Sequence, residues 1–194
     1  MATLDVTDSD AVLARSGVAN SRGLIEAIGF AARKHSKQRR RDAEGTPYIN
    51  HPIAVMRLLS SEAGIDDLET LTAAVLHDTI EDTDTTREEL ETLFGTEVSL
   101  IVCEVSDDKS LSKGERKRLQ VEHAASLSYK ARLVKLADKT CNLRDLLHTP
   151  PVEWPLWRRR EYFEWSAEVV NGIRGTHATL EALFDAEYAQ RPRG

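Results

Sequence analysis

Leu76-His77-Asp78-Thr79-Ile80-Glu81-Asp82-Thr83 is the stretch that decides how this chain folds and what it holds. The apolar run before it predicts a buried helix. A histidine and three carboxylates therefore stand at the end of a segment that favours burial. Ionised groups there are costly unless something compensates them, and a bound cation is the usual compensation. On a helix, Glu81 lies one turn after His77 and Asp82 one turn after Asp78, so all four side chains share one broad face.

The composition is that of an ordinary globular domain. The 194 residues are 30% charged and 41% hydrophobic, which is enough for one sizeable core. A formal net charge of −6 gives no general attraction to nucleic acid or to an anionic membrane, so an anionic substrate must be met by local basic groups. The chain shows no signal peptide and no apolar run near the roughly 20 residues that span a bilayer. These features predict a cytoplasmic protein without nucleic-acid or membrane partners.

Helical patterns recur along the rest of the chain. Capping boxes begin at Asp66 and at Thr86, and each predicts the start of a helix. Residues 98–105 fit either a strand or a helix, and the helical surroundings favour a helix. The sequence predicts an all-α fold, with a single compact helical bundle of eight or more helices over residues 21–194. Residues 1–20 are predicted to be an extension that is poorly ordered or weakly helical.

A second strong apolar helix, predicted over residues 131–147, carries further polar groups. Asp138 and Asn142 are four residues apart and project from one of its faces. A carboxylate in such a helix is what a metal ion shared between helices would need, and His51 opens another helix. The candidate ligands are two imidazoles and two carboxylates: His51, His77, Asp78 and Asp138. Mixed nitrogen and oxygen ligands suit Mn²⁺, Fe²⁺ or Zn²⁺ better than Ca²⁺.

A four-ligand set with open positions is typical of a catalytic ion, which can lower the pKa of a bound water molecule. Glu81 and Asp82, one helical turn further on, are the candidate groups that orient this water or accept its proton.

Several strings of residues resemble known proteins. The His-Asp pair, an earlier His and a later Asp resemble the HD superfamily of metal-dependent phosphohydrolases. Three longer strings, at 46–52, 76–83 and 135–143, resemble the hydrolase domain of the RelA/SpoT alarmone enzymes. Two more, at 115–118 and 161–165, look most like the stand-alone metazoan SpoT homologues. The resemblance covers roughly residues 24–190.

The resemblance implies a guanosine 3′,5′-bis(diphosphate) 3′-pyrophosphohydrolase that uses Mn²⁺ and degrades the alarmone of the stringent response. It implies that His51, His77, Asp78 and Asp138 hold the ion and that Glu81 and Asp82 activate water. It also implies a set of residues that bind the guanosine nucleotide: Arg40, Arg41, Lys113, Asn142, Arg158 and Tyr162. The protein is expected to be a monomer or a homodimer.

Two other functions stay open at the level of sequence. One is a phosphatase that acts on another nucleotide, such as removal of the 2′-phosphate of NADPH, which would release orthophosphate instead of pyrophosphate. The other is a non-catalytic nucleotide sensor, although a sensor need not retain water-activating carboxylates. The basic run Arg39-Arg40-Arg41 is in most proteins a solvated surface or a nucleic-acid patch, and the acidic total disfavours the second of these.

Overall fold

The computed structural model describes residues 21–193, which fold into helices joined by short loops. The helices are α1 (Ser21–Lys34), α2 (Asn50–Arg57), α3 (Leu68–Leu76), α4 (Thr79–Asp82), α5 (Arg87–Phe94), α6 (Thr96–Val105), α7 (Lys113–His123), α8 (Tyr129–His148), α9 (Leu156–Asn171) and α10 (Ala178–Ala189). A π-helical turn, Leu58–Glu62, extends α2, and a 3₁₀ turn, Ala124–Ser126, follows α7.

The all-α prediction is confirmed for the described residues. Within 21–193 the backbone forms no strand, and its β-type pairing is an isolated bridge between Arg39 and Pro47. The segment 98–105, which fitted strand or helix, is helical and belongs to α6. None of the helices in this part of the chain is long and apolar enough to cross a membrane. The prediction for residues 1–20 lies outside the described residues.

Helices α3 and α8 form the centre of the bundle. Helix α3 packs against α1, α2, α6 and α8, and α8 also contacts α2, α6, α9 and α10. Every residue from Thr70 to Leu76 in α3 is buried, and α8 is buried over most of its length between Ala131 and Leu146. A helix that is apolar on all sides is stable only in such a core position. Three of the predicted metal ligands are thus attached to these two enclosed helices: His77 and Asp78 directly follow α3, and Asp138 lies on α8.

The helix starts follow from their capping residues. The Asp67 side chain accepts a hydrogen bond of 2.9 Å from the Thr70 backbone N–H, and Thr86 accepts one of 3.2 Å from the Glu89 N–H. Such caps satisfy backbone donors that have no partner within the helix. The predicted start of α5 at Thr86 is therefore confirmed, and the start of α3 lies one residue later than predicted, because Asp67 and not Asp66 is its capping residue.

The structure differs from the sequence prediction in one detail of the stretch 76–83. Helix α3 ends at Leu76 and α4 begins at Thr79, so His77 and Asp78 form a turn between two helices. The expectation of one continuous helical face was wrong at this point. The Thr79 hydroxyl donates a 2.7 Å hydrogen bond to the Leu76 carbonyl, which gives this carbonyl a partner at the end of α3. The turn lets both side chains point towards α8.

Candidate active site

Three of the predicted metal ligands come together between α2, α3 and α8. One nitrogen or oxygen atom each from His51, His77 and Asp138 lies within 4.8 Å of the other two. His51 Nε2 is 3.1 Å from Asp138 Oδ1, and His77 Nε2 is 3.8 Å from the same oxygen. Asp78, the fourth predicted ligand, places Oδ2 3.0 Å from His77 Nε2. The four residues therefore form one cluster of donor atoms.

The ring of His77 is fixed in the orientation that a metal ligand needs. Its Nδ1 lies 2.8 Å from the Ala74 carbonyl oxygen; because a carbonyl only accepts, Nδ1 carries a hydrogen. The opposite nitrogen, Nε2, is buried without a hydrogen-bond partner among the described residues. A histidine that binds a metal through one nitrogen commonly donates the other N–H to a backbone carbonyl. The Nε2 atom thus faces the two carboxylates and is the nitrogen through which His77 could bind a metal ion.

The electrostatics of the cluster also fit a divalent cation. Burial lowers the pKa of His77, but Asp78 and Asp138 outweigh this and raise it to about 9. Burial raises the pKa of Asp138, but Lys139 and the two histidines hold it well below its usual range. Two ionised carboxylates at a buried position require positive charge nearby. The residues present therefore fit an ion bound by nitrogen and oxygen atoms.

Tyr48 supports Asp78 from the segment before α2. Its hydroxyl donates a 2.6 Å hydrogen bond to Asp78 Oδ2. Burial and the charge of Asp78 raise the pKa of Tyr48 far above its ordinary value, so the hydroxyl keeps its proton and remains a donor. This contact fixes the carboxylate orientation, as the partners of ligating carboxylates commonly do.

The predicted acidic pair lies beside this cluster on α4. Glu81 accepts a 3.1 Å hydrogen bond from the Asp107 backbone N–H and lies 3.5 Å from Arg116. Asp82 accepts hydrogen bonds from Lys109 (2.5 Å) and Gln38 (3.1 Å). Burial and the charges of Asp107 and Asp78 raise the pKa of Glu81. A carboxylate with a raised pKa is a stronger base, which suits a group that accepts a proton near neutral pH.

Two cavities meet at the cluster. A compartment of about 220 Å³ contains the predicted metal ligands and Glu81, and a larger cleft of about 490 Å³ lies beside it. Tyr48, Asn142 and Tyr162 line both. A cleft of this size is suited to a small-molecule ligand. The inner compartment thus opens directly into a space that can hold a nucleotide.

The structure brings four of the six predicted substrate residues into the larger cleft. Its lining includes Arg40, Arg41, Asn142 and Tyr162. Asn142 donates a 2.6 Å hydrogen bond to Asp138 Oδ1, so it links the cleft to the inner cluster. The Arg40 guanidinium forms an ion pair with Asp145 and lies 5.6 Å from the centre of the Tyr48 ring.

The other two predicted substrate residues flank Trp154, which lines the same cleft. Lys113 Nζ lies 5.6 Å and the Arg158 guanidinium 4.3 Å from the centre of this ring. Burial and the charge of Arg158 lower the pKa of Lys113. Both cations therefore lie next to Trp154 at the edge of the cleft.

Some residues at the site were missed by the analysis of sequence. Lys139 is buried, with Nζ 3.4 Å from Asp138 Oδ2 and 4.2 Å from the Trp165 ring centre. Its position directly after Asp138 in the string 135–143 was a usable signal. Lys109 belongs to a polar loop, and no local sequence pattern indicates that this loop approaches Asp82. Trp154 lies near several prolines, and no local pattern indicates that it lines the cleft.

Comparison with known proteins agrees with this geometry. The profile of the HD domain family matches residues 27–159. The chain belongs to the HD-domain family. Among HD-domain relatives, it is 58% identical to guanosine-3′,5′-bis(diphosphate) 3′-pyrophosphohydrolase MESH1 of Homo sapiens over 87% of this chain and 94% of that protein. The MESH1 protein of Danio rerio is 56% identical over 87% of this chain and 93% of its own length.

A solved HD-domain structure is also similar. It is described as a metazoan ortholog of SpoT that hydrolyzes ppGpp and plays a role in starvation responses. The two structures superpose with a TM-score of 0.86 at 51% sequence identity, over 89% of this chain and 97% of the other. The HD-domain bundle predicted from the sequence is therefore confirmed as a fold.

Proposed function

We propose that this protein hydrolyses the 3′-diphosphate of guanosine 3′,5′-bis(diphosphate), giving GDP and pyrophosphate, and likewise converts the pentaphosphate form to GTP. The observation that carries the proposal is the junction of the two cavities. A compartment with buried histidines and carboxylates opens, past Tyr48, Asn142 and Tyr162, into a cleft lined by arginines. Support also comes from relatives that are more than half identical and are named for this activity. In the cell the reaction would remove the alarmone of the stringent response.

The ion is proposed to be Mn²⁺, with Fe²⁺ and Zn²⁺ as chemically similar occupants. It would be held by His51, His77, Asp78 and Asp138. When bound, such an ion supplies Lewis-acid stabilisation of phosphoryl oxygens and lowers the pKa of water.

Glu81 and Asp82 are proposed to orient the attacking water and accept its proton. The raised pKa of Glu81 suits this task, and Lys109 and Gln38 hold Asp82 beside it. The water oxygen forms a bond to the phosphorus attached to the 3′ oxygen. The bond between this phosphorus and the 3′ oxygen breaks, and the 3′ oxygen takes up a proton. Pyrophosphate and GDP then carry all the atoms of substrate and water.

The cleft residues are proposed to hold the rest of the nucleotide. Arg40, Arg41, Lys113 and Arg158 offer positive charge to the two diphosphates, since guanidinium groups match phosphate oxygens in pairs. Asn142 faces the ribose and Tyr162 lies against the nucleoside. In the described structure Arg40 is paired with Asp145, so a phosphate must compete with that carboxylate. We also propose that residues 21–194 form the hydrolase unit; the cytoplasmic location and the monomer or homodimer remain predictions.

The proposal is tested by incubating the protein with guanosine 3′,5′-bis(diphosphate) and added Mn²⁺, and measuring pyrophosphate and orthophosphate separately. Wild type should release GDP and pyrophosphate, and the His77→Ala/Asp78→Ala variant should not. His148→Ala is the matched control, because His148 is exposed at the end of α8. Release of orthophosphate from NADPH without turnover of the guanosine nucleotide would favour the phosphatase instead. Binding of the guanosine nucleotide without any product would favour the sensor.

A further inference from the structure

One loop contacts both members of the acidic pair. It follows α6, and the Asp107 backbone N–H in it donates to Glu81 Oε2 at 3.1 Å. Two residues later, Lys109 Nζ lies 2.5 Å from Asp82 Oδ1 and 3.6 Å from Glu81 Oε1. The positions of both carboxylates relative to the metal compartment therefore depend on where this loop sits.

Helix α7 fixes the loop through a single amide. Gln120 Nε2 lies 2.8 Å from each of the two Asp107 carboxylate oxygens, so its N–H groups face both. A second α7 side chain, Arg116, lies 3.5 Å from Glu81 Oε1. On the other side, Lys135 donates a 2.7 Å hydrogen bond to the Val105 carbonyl at the start of the loop. The loop is thus held by polar contacts to α7 and α8.

Without these polar contacts, side-chain packing would not hold the loop, because there is a cavity on each side of it. The metal compartment lies on one side and a separate cavity of about 260 Å³ on the other. Val105, Asp107, Gln120 and Lys135 line both. In a close-packed interior a lost hydrogen bond can leave a residue trapped by its neighbours. Here the loop has room to shift once the Gln120 contact is lost.

The state of the Gln120 amide supports a specific role for its N–H groups. Its Oε1 atom is buried and has no hydrogen-bond partner among the described residues. A buried carbonyl without a partner costs stability, and an apolar side chain of similar size would avoid that cost. A role for the donor half of the amide, the contact to Asp107, accounts for a glutamine at this position.

We propose that Gln120 is a positioning residue for the hydrolysis. Its amide holds the Asp107 carboxylate, the carboxylate fixes the backbone of residue 107, and the N–H of that residue sets the orientation of Glu81. Gln120 acts through these two residues and does not touch the reacting atoms. This inference rests on the function proposed above.

The first test compares steady-state hydrolysis of guanosine 3′,5′-bis(diphosphate) by three variants. Gln120→Met keeps the side-chain length and removes the donor, and it should lower kcat roughly 10- to 100-fold, because a misplacement of about 1 Å at a reacting group has effects of that size. Its KM should change less than about twofold, since Gln120 itself does not line the substrate cleft. Gln120→Glu should lower kcat further, because it sets one carboxylate against another. Arg118→Ala, an exposed residue of the same helix, should match wild type.

The decisive variant exchanges the carboxylate of residue 107 and the amide of residue 120. Asp107→Asn combined with Gln120→Glu restores one amide facing one carboxylate, with the same total charge. Its kcat should return to within about threefold of wild type, because the pair is coupled while the single change is not compensated. A Gln120→Met variant with unchanged kcat, or with a change in KM alone, would overturn the proposal. So would an exchanged pair no better than Gln120→Glu.

A second measurement does not depend on turnover. Amide hydrogen exchange at Asp107, followed by NMR, reports directly whether its N–H remains hydrogen-bonded. Exchange should be faster in Gln120→Met and slow again in the exchanged pair, when each protein is measured well below its own melting temperature. If wild type fails to hydrolyse the substrate, the proposed function fails, while the exchange rates still decide whether Gln120 holds the loop. Equal exchange rates in wild type and Gln120→Met would overturn the positioning role.

Discussion

The metal compartment and the larger cleft beside it differ in how far their side chains are buried and fixed. In the compartment, His51, His77 and Asp138 are at least nine-tenths buried, and they belong to α2, the turn after α3 and α8, respectively. In the cleft, Arg41 and Lys113 are exposed and stand on a loop and at the first residue of a helix. Buried groups with fixed partners are organised before a ligand arrives, whereas exposed cations lose side-chain freedom when they bind one. The comparison predicts that changes in the compartment abolish chemistry, while changes in the cleft weaken binding.

The largest effect is expected for Asp138→Asn. The loss of its charge should lower kcat about 1000-fold or more, because several kcal/mol of transition-state charge stabilisation depend on the ion. Titration calorimetry with Mn²⁺ should show weakened binding in the same variant. Chelation should lower the melting temperature of wild type and leave that of Asp138→Asn unchanged. Asp185→Asn, at an exposed position, serves as the control, and normal turnover by Asp138→Asn would contradict the ligand assignment.

Lys109→Met should have the next largest effect, at the border between the two regions. The pKa of Glu81 is raised by burial, Asp107 and Asp78, and it is lowered by the Asp107 N–H and by Lys109. Removal of the lysine charge therefore raises this pKa further. Because Glu81 is the proposed proton acceptor and must be ionised for that role, the acid limb of the kcat profile should move to higher pH.

The plateau kcat of Lys109→Met should also fall roughly 10- to 100-fold, because Asp82 loses its 2.5 Å partner. The measurement is a pH–rate profile with saturating Mn²⁺, and Lys37→Met, at an exposed position, is the control. A limb that moves to lower pH would contradict the assignment of Glu81 as the group that titrates.

Arg40→Ala tests the cleft. It should raise KM roughly 10-fold and change kcat little, since a charge-assisted contact to phosphate is lost while the compartment is intact. The neighbouring ion pair with Asp145 is lost as well. Arg160→Ala, an exposed arginine of α9, should behave as wild type. A large fall in kcat at constant KM would place Arg40 in the chemistry and remove the contrast between the regions.

The smallest effect is expected for Arg158→Ala at the edge of the cleft. An exposed or half-exposed charge pair contributes at most about 1 kcal/mol, so KM should rise roughly threefold. The increase should shrink as NaCl is added, because salt screens such contacts. An effect on KM that is independent of ionic strength would instead indicate loss of the contact between Arg158 and the Trp154 ring.

The same contrast explains what the sequence could and could not predict. The ligand candidates were accessible because each is marked by a local pattern: a charged group inside an apolar helix, or a histidine before a proline at a helix start. Asp107 and Gln120 carry no such mark. Their importance arises from a loop that crosses from α6 to α7, and a contact between positions 81 and 107 depends on the tertiary fold. The end of α3 at Leu76 could not be predicted from the sequence either, since the apolar run predicts a helix that continues.

This end of α3 has a consequence for how the site is assembled. The end of a helix leaves backbone carbonyls without intrahelical partners. The carbonyl of Ala74, in the last turn of α3, accepts a hydrogen bond from His77 Nδ1. The Nδ1 side of the imidazole is therefore oriented by its own segment, residues 74–77. This contact places a hydrogen on Nδ1 and turns Nε2 towards Asp78 and Asp138. One orienting contact of the candidate cation site is thus local in sequence, whereas His51 and Asp138 reach the same site only through the packing of α2 and α8.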